Sequence, residues 1–194
     1  MTQRRTIYTV GDSHCWHAWV KVPNVITTCI GPMLMYSFGR DKPILSDAYL
    51  LPKDDIVCFC WGEIDCRCHV HLRQPWQQTI DDLVAKYFEA IDLNVVGKDP
   101  SLVWIYNVVP PIRDAGESPG FPFIGTLEER VEYVRYMNKK LSETKYTFID
   151  LQDEYANADG VMKDGVSDLH VHVEDETPIK KWIEKWNTYQ VQIS

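Results

Sequence analysis

Between Pro100 and the pair Pro110-Pro111 runs Ser-Leu-Val-Trp-Ile-Tyr-Asn-Val-Val, residues 101–109, an almost unbroken apolar stretch. A strand with one wet face alternates apolar and polar residues. A stretch without that alternation fits a strand buried on both faces, and such strands belong to parallel sheets covered by helices. Ile-Val-Cys-Phe-Cys-Trp at 56–61 repeats the pattern. The covering helices are also visible. From Pro75 to Ile91 the apolar residues Ile80, Leu83, Val84, Tyr87, Phe88 and Ile91 recur at spacings of three and four. Thr126 and Glu129 form a capping box ahead of Leu127, Val131, Val134, Met137 and Leu141.

Taken in order, the chain alternates. Thr6 to Val10 is a β-branched and aromatic run that stops at Gly11. Val22 to Ile30 is a second strand ending at Gly31-Pro32, and Met33 to Phe38 fits a short helix or turn. Ser46 to Leu51 reads as a small helix closed by Pro52. Asp55 to Trp61 is the third strand, 101–109 the fourth and Tyr146 to Leu151 the fifth, and a last helix starts near Pro178. The long Pro- and Gly-rich stretch from Pro110 to Gly125 follows a strand end, where it is suited to wall a pocket. Right-handed crossovers then leave few topologies. The expected fold is a three-layer α/β/α flavodoxin-like domain, with a five-stranded parallel sheet in the order 2-1-3-4-5 and a single domain over residues 1–194.

A net charge of −8 disfavours nucleic acid and anionic membranes as partners, because both demand a basic face. No run approaches a membrane span, and the charged residues Arg4 and Arg5 are not followed by the apolar core of a signal peptide. A cytoplasmic protein acting on a small uncharged substrate is expected.

In an open α/β sheet, ligands sit beyond the carboxyl ends of the strands. Four such places converge in the expected order: Ser13 after strand one, Gly31 after strand two, the Gly62 to Arg67 turn after strand three, and the segment Asp168 to His172 before the last helix. Ser13 follows Gly11-Asp12 at the start of a helical turn, where free backbone N–H groups favour a developing anion. It reads either as a nucleophile or, with Asp12, as a helix cap. Cys58 and Cys60 sit inside an apolar strand and read as packing. Cys66, Cys68, His69 and His71 offer ligand types suited to zinc but lack the usual paired spacing. A Cys/His metal protein is therefore an alternative reading, and no metal is the expectation.

Gly11-Asp12-Ser13, Gly31, Gly62-x-x-Asp65 and a C-terminal Asp/His pair, in that order, resemble the four blocks of the GDSL/SGNH hydrolase superfamily over nearly the whole chain. The resemblance implies an esterase, lipase, thioesterase or carbohydrate deacetylase with a serine nucleophile, a histidine base, an aspartate and no cofactor. Ser13 matches the nucleophile, and its N–H with that of Gly31 matches two oxyanion donors. The family's third donor is an asparagine side chain, and here that position is Ile64. Either Arg67 supplies the missing donor, or Glu63, Asp65 and Arg67 form an ion-paired turn; Asp12, His14, Glu63, Asp65 and Arg67 are the candidate substrate contacts. The family places its aspartate three residues before the histidine, whereas Asp168 stands two before His170 and four before His172. The residues after His172 match the family better. Trp16, Trp19, Trp61 and Trp76 near the strand ends suit a sugar or aryl group, and an acetylated glycan is the expected substrate. A binding module that kept the fold and lost efficient catalysis is the second alternative.

Overall fold

The computed structural model describes residues 5–45, 51–113, 120–168 and 170–193. Five parallel strands form one sheet in the order β2-β1-β3-β4-β5: β1 (Ile7–Gly11), β2 (Val25–Cys29), β3 (Ile56–Cys60), β4 (Val103–Tyr106) and β5 (Thr147–Ile149). Around it lie α1 (Met35–Asp41), α2 (Trp76–Asn94), α3 (Leu127–Ser142), the single turn α4 (Gln152–Tyr155) and α5 (Thr177–Ile193). The small helix expected at Ser46 to Leu51 falls almost wholly outside the described residues, as does the centre of the Pro110 to Gly125 stretch. Among the described residues, no helix is long and apolar enough to cross a membrane.

The absence of polar alternation in the central strands has its counterpart in two cores. On one face Val57 and Phe59 of β3 and Val103 and Ile105 of β4 pack with Phe38 of α1, Ile80, Val84 and Tyr87 of α2, and Val134, Met137 and Leu141 of α3. On the other, Cys58, Cys60, Trp104 and Tyr106 pack with Cys15, Trp19 and Ile179. Trp104 meets the rings of Trp182 and Trp186 of α5 edge to face, at 4.9 and 5.1 Å. The Thr126 capping box is formed in both directions, an arrangement that stabilises a helix start by about 1 kcal/mol. Trp19 and Trp61 are buried in these cores rather than placed at a ligand surface, which corrects their expected role.

Two glycines make the active edge possible. At Gly11 a Cβ would lie 2.0 Å from the carbonyl oxygen of Cys60, so only glycine lets the end of β1 run this close to β3. Gly31 has φ +86°, a conformation that L side chains adopt only under strain. It follows directly on the bond from Ile30 N–H to the Gly11 carbonyl, 2.9 Å, which holds the β2 exit beside the β1 exit.

Candidate active site

Beyond Gly11 the chain enters a short helical turn, Ser13–Cys15, capped by Asp12, whose Oδ1 accepts the His14 N–H at 2.9 Å. The cap and the serine are thus neighbouring parts of one device: Asp12 fixes the turn, and Ser13 is its first residue, half-buried. The backbone N–H groups of Ser13 and Gly31 donate no hydrogen bond among the described residues.

Facing this turn is a narrow hairpin whose two arms are residues 166–168 and 172–174. Asp168 N–H donates to the His172 carbonyl at 3.2 Å and Glu174 N–H to the Val166 carbonyl at 2.8 Å. The spacing of four between Asp168 and His172 follows from this shape, because the two are partners across the hairpin. Asp168 Oδ1 accepts the N–H groups of His170 (2.8 Å) and His172 (3.3 Å), and its Oδ2 accepts His172 Nδ1–H at 2.7 Å. With Nδ1 carrying the proton, His172 Nε2 is left as an acceptor, and Ser13 Oγ lies 2.8 Å from it. His170 lies exposed between Asp168 and His172.

The electrostatics of this line are uneven. Burial, together with the neighbouring His14, holds His172 down to about 4 against the opposing pull of Asp168, so the imidazole is neutral at pH 7. Partial burial pushes the Asp168 carboxyl up, but the hydrogen bonds from His172 and the His170 amide outweigh it and keep the group below its ordinary value. His17, which no motif marks, stacks on His172 with centroids 3.7 Å apart and planes within 9°, and its Nδ1 lies 2.6 Å from Glu174. Trp16 stands edge-on to His17 at 5.4 Å, with 48% of its surface exposed.

The third strand-end turn does other work. Asp65 is buried, and its two oxygens accept the N–H groups of Met35 (2.8 Å) and Tyr36 (3.2 Å), capping α1. Burial raises it to about 7, partly offset by those two donors. Arg67 Nε and a terminal nitrogen engage both oxygens of Glu63, at 2.7 and 3.1 Å. The other terminal nitrogen donates to the Phe121 carbonyl, and the guanidinium lies 5.1 Å over the Phe123 ring. The structure therefore gives the ion-paired turn for Glu63 and Arg67 and a cap for Asp65. All three are buried and spent on protein partners, so the expected substrate contacts of Glu63, Asp65 and Arg67, and an Arg67 donor aimed at the oxyanion, have no counterpart in this arrangement. Ile64 is buried with them.

The metal reading meets a similar correction. Cys66 packs in the core with its Sγ 3.7 Å from Met137 Sδ, Cys68 is buried, and His71 Nδ1 bonds the Tyr133 hydroxyl at 3.1 Å. No three of Cys66, Cys68, His69 and His71 bring ligand atoms within 4.8 Å of one another. Only His17, Asp168 and His172 do so among the described residues. The two imidazoles stack with centroids 3.7 Å apart and planes within 9°, so their in-plane lone pairs lie in separate, near-parallel planes and do not converge on one ion.

No protein-family model and no curated protein sequence matches the chain. Solved structures do. A GDSL-like lipase from Bacteroides thetaiotaomicron is 14% identical with a TM-score of 0.62, covering 95% of this chain and 89% of its own. An aryl esterase from M. smegmatis is 14% identical with a TM-score of 0.59 (97% and 99%). A carbohydrate acetylesterase family member from Sinorhizobium meliloti is 13% identical with a TM-score of 0.60 (96% and 98%). The chain has the fold of the SGNH/GDSL hydrolase superfamily, a flavodoxin-like α/β/α sandwich.

Proposed function

We propose that the chain is a serine ester hydrolase that removes a short acyl group from a ring-bearing alcohol, with an acetylated glycan the favoured substrate. The observation that carries this is the unbroken line from Ser13 Oγ through His172 to Asp168, at 2.8 and 2.7 Å. His172 Nε2 takes the Ser13 proton as Oγ bonds to the ester carbonyl carbon. The negative oxygen is stabilised by the Ser13 and Gly31 N–H groups, each such donor contributing about 10²–10³ in rate. Collapse breaks the bond to the alcohol, which leaves with the proton from His172. Water, deprotonated by the same nitrogen, then releases the acid and restores Ser13. Asp168 holds the tautomer throughout, and no metal or cofactor is needed. The exposed Trp16 ring beside the line supports a ring-bearing leaving group, and the match to a carbohydrate acetylesterase supports a glycan. Free thiols at all six cysteines fit a cytoplasmic protein.

A fluorophosphonate probe should label Ser13, located by mass spectrometry, and Ser13→Ala should abolish both labelling and p-nitrophenyl acetate hydrolysis. Hydrolysis at the wild-type rate in Ser13→Ala would overturn the nucleophile. The hydrophobic Ile64 in place of an amide donor favours a second reading, a binding module with feeble catalysis; absence of labelling with retained glycan binding would select it.

A further inference from the structure

Building on the ester-hydrolase reading, we propose that His14 is an imidazolium at neutral pH that acts as a positioning residue. It ties the nucleophile turn to the hairpin carrying the base, and it keeps His172 unprotonated well into the acid range. The charge follows from its partners. His14 Nδ1 lies 2.9 Å from Asp12 Oδ1, and Nε2 lies 3.2 Å from the Val171 carbonyl oxygen. Both partners accept only, and a neutral imidazole carries a single N–H, so both contacts are hydrogen bonds only when the ring is doubly protonated. Val171 sits between His170 and His172. The second bond therefore reaches across 157 residues of sequence to the loop holding His172, while the first anchors on the residue preceding Ser13.

The ring is 8% exposed, and its centroid is 5.1 Å from that of His172. A fixed cation at that distance, screened little by water, opposes a second positive charge on His172. The charged and titratable groups around the two rings are few. Asp12 and Glu63 act on His14; Asp168 on the hairpin and His17 on the nucleophile side act on His172, and Glu174 pairs with His17. Burial alone would lower His14, but the Asp12 carboxylate reverses this and raises it to about 9. His172 goes the other way, to about 4, first through its burial and then through the His14 charge, with Asp168 pulling against both. A like-charged neighbour makes the base weaker but leaves it free where an ordinary histidine, near 6.5, is already protonated.

The test is nitrogen-15 NMR of histidine-labelled protein across pH, paired with kcat/KM for an activated acetyl ester. In the wild type, His14 should stay doubly protonated at pH 7 and His172 should titrate near 4. His14→Gln keeps a side-chain donor without charge, and Asp12→Asn keeps an acceptor for the ring while withdrawing the carboxylate. In both, the His172 midpoint should rise by about one pH unit or more, with the acid limb of kcat/KM moving alongside. A purely structural role would lower the rate and leave the limb where it was. A His14 that titrates near 6.5 in the wild type, or a His172 midpoint unmoved in either variant, overturns the proposal. If the NMR midpoints behave as stated and no ester is cleaved, the imidazolium stands and the hydrolase reading falls.

Discussion

At the scale of single residues, the distinction between His170 and His172 is one of geometry. Both belong to the same hairpin and both lie near Asp168, yet only His172 has one nitrogen on the carboxylate and the other 2.8 Å from Ser13 Oγ. His170 gives Asp168 its backbone N–H and leaves its ring in solvent. His172→Ala should therefore lower kcat by at least ~10²-fold, the scale of general-base catalysis, while His170→Ala costs little. Steady-state kinetics with an activated acetyl ester would reveal reversed losses, and with them a different base. The preference for His172 rested in the sequence on the residues that follow it, Val173 to Glu176, and not on periodicity, since positions two apart in an extended segment share a face. His17 was not legible there. Nothing in Trp-His-Ala-Trp marks a ring that stacks on another 155 residues away, and only the folded hairpin brings Glu174 to its Nδ1.

Among the elements, the parallel sheet and its order were readable because the central strands are apolar on both faces and the covering helices have a clean period. The ends of those elements were less so. Turn residues at a strand exit serve either substrate or scaffold, and the outcome depends on partners far along the chain. The turn after β3 shows this. Asp65 looked outward in sequence, yet the fold closes α1 over it, so its carboxylate holds the first N–H groups of a helix 30 residues earlier. Asp65→Ala would leave those donors without an acceptor in a buried place. At pH 5, below the value to which burial raises the group, it should lower stability by about 1–3 kcal/mol, as expected for buried donors left unsatisfied, seen as a lower urea midpoint at unchanged m. A loss below about 0.5 kcal/mol, the usual size for a surface change, would mean that water replaces the cap.

For the whole molecule, buried titrating groups set the pH range in which the fold and the site persist together. His172 sits below its ordinary value, so its contribution is present above 6.5 and is lost as pH falls through about 4. Asp65 is raised, so its contribution is present below 3.8 and is lost as pH rises through about 7. Across pH 4 to 6.5 the two slopes oppose each other, and the melting temperature should vary little on their account. Above pH 7 that balance ends. His14 is raised, so the stability from its pairing with Asp12 is complete below 6.5 and is lost as pH climbs through about 9. The buried thiols, Cys68 among them at about 11, act in the same direction only once pH passes their ordinary value of 9.0. The interval from pH 7 to 8.5 therefore belongs largely to His14. Scanning calorimetry at fixed ionic strength should show Tm falling across that interval in the wild type and holding nearly level in His14→Gln, whose absolute Tm is lower at pH 7. The variant carries every other titrating group, including the terminal amine, so an equal fall in both proteins would assign the slope elsewhere and remove His14 as the brace between nucleophile and base.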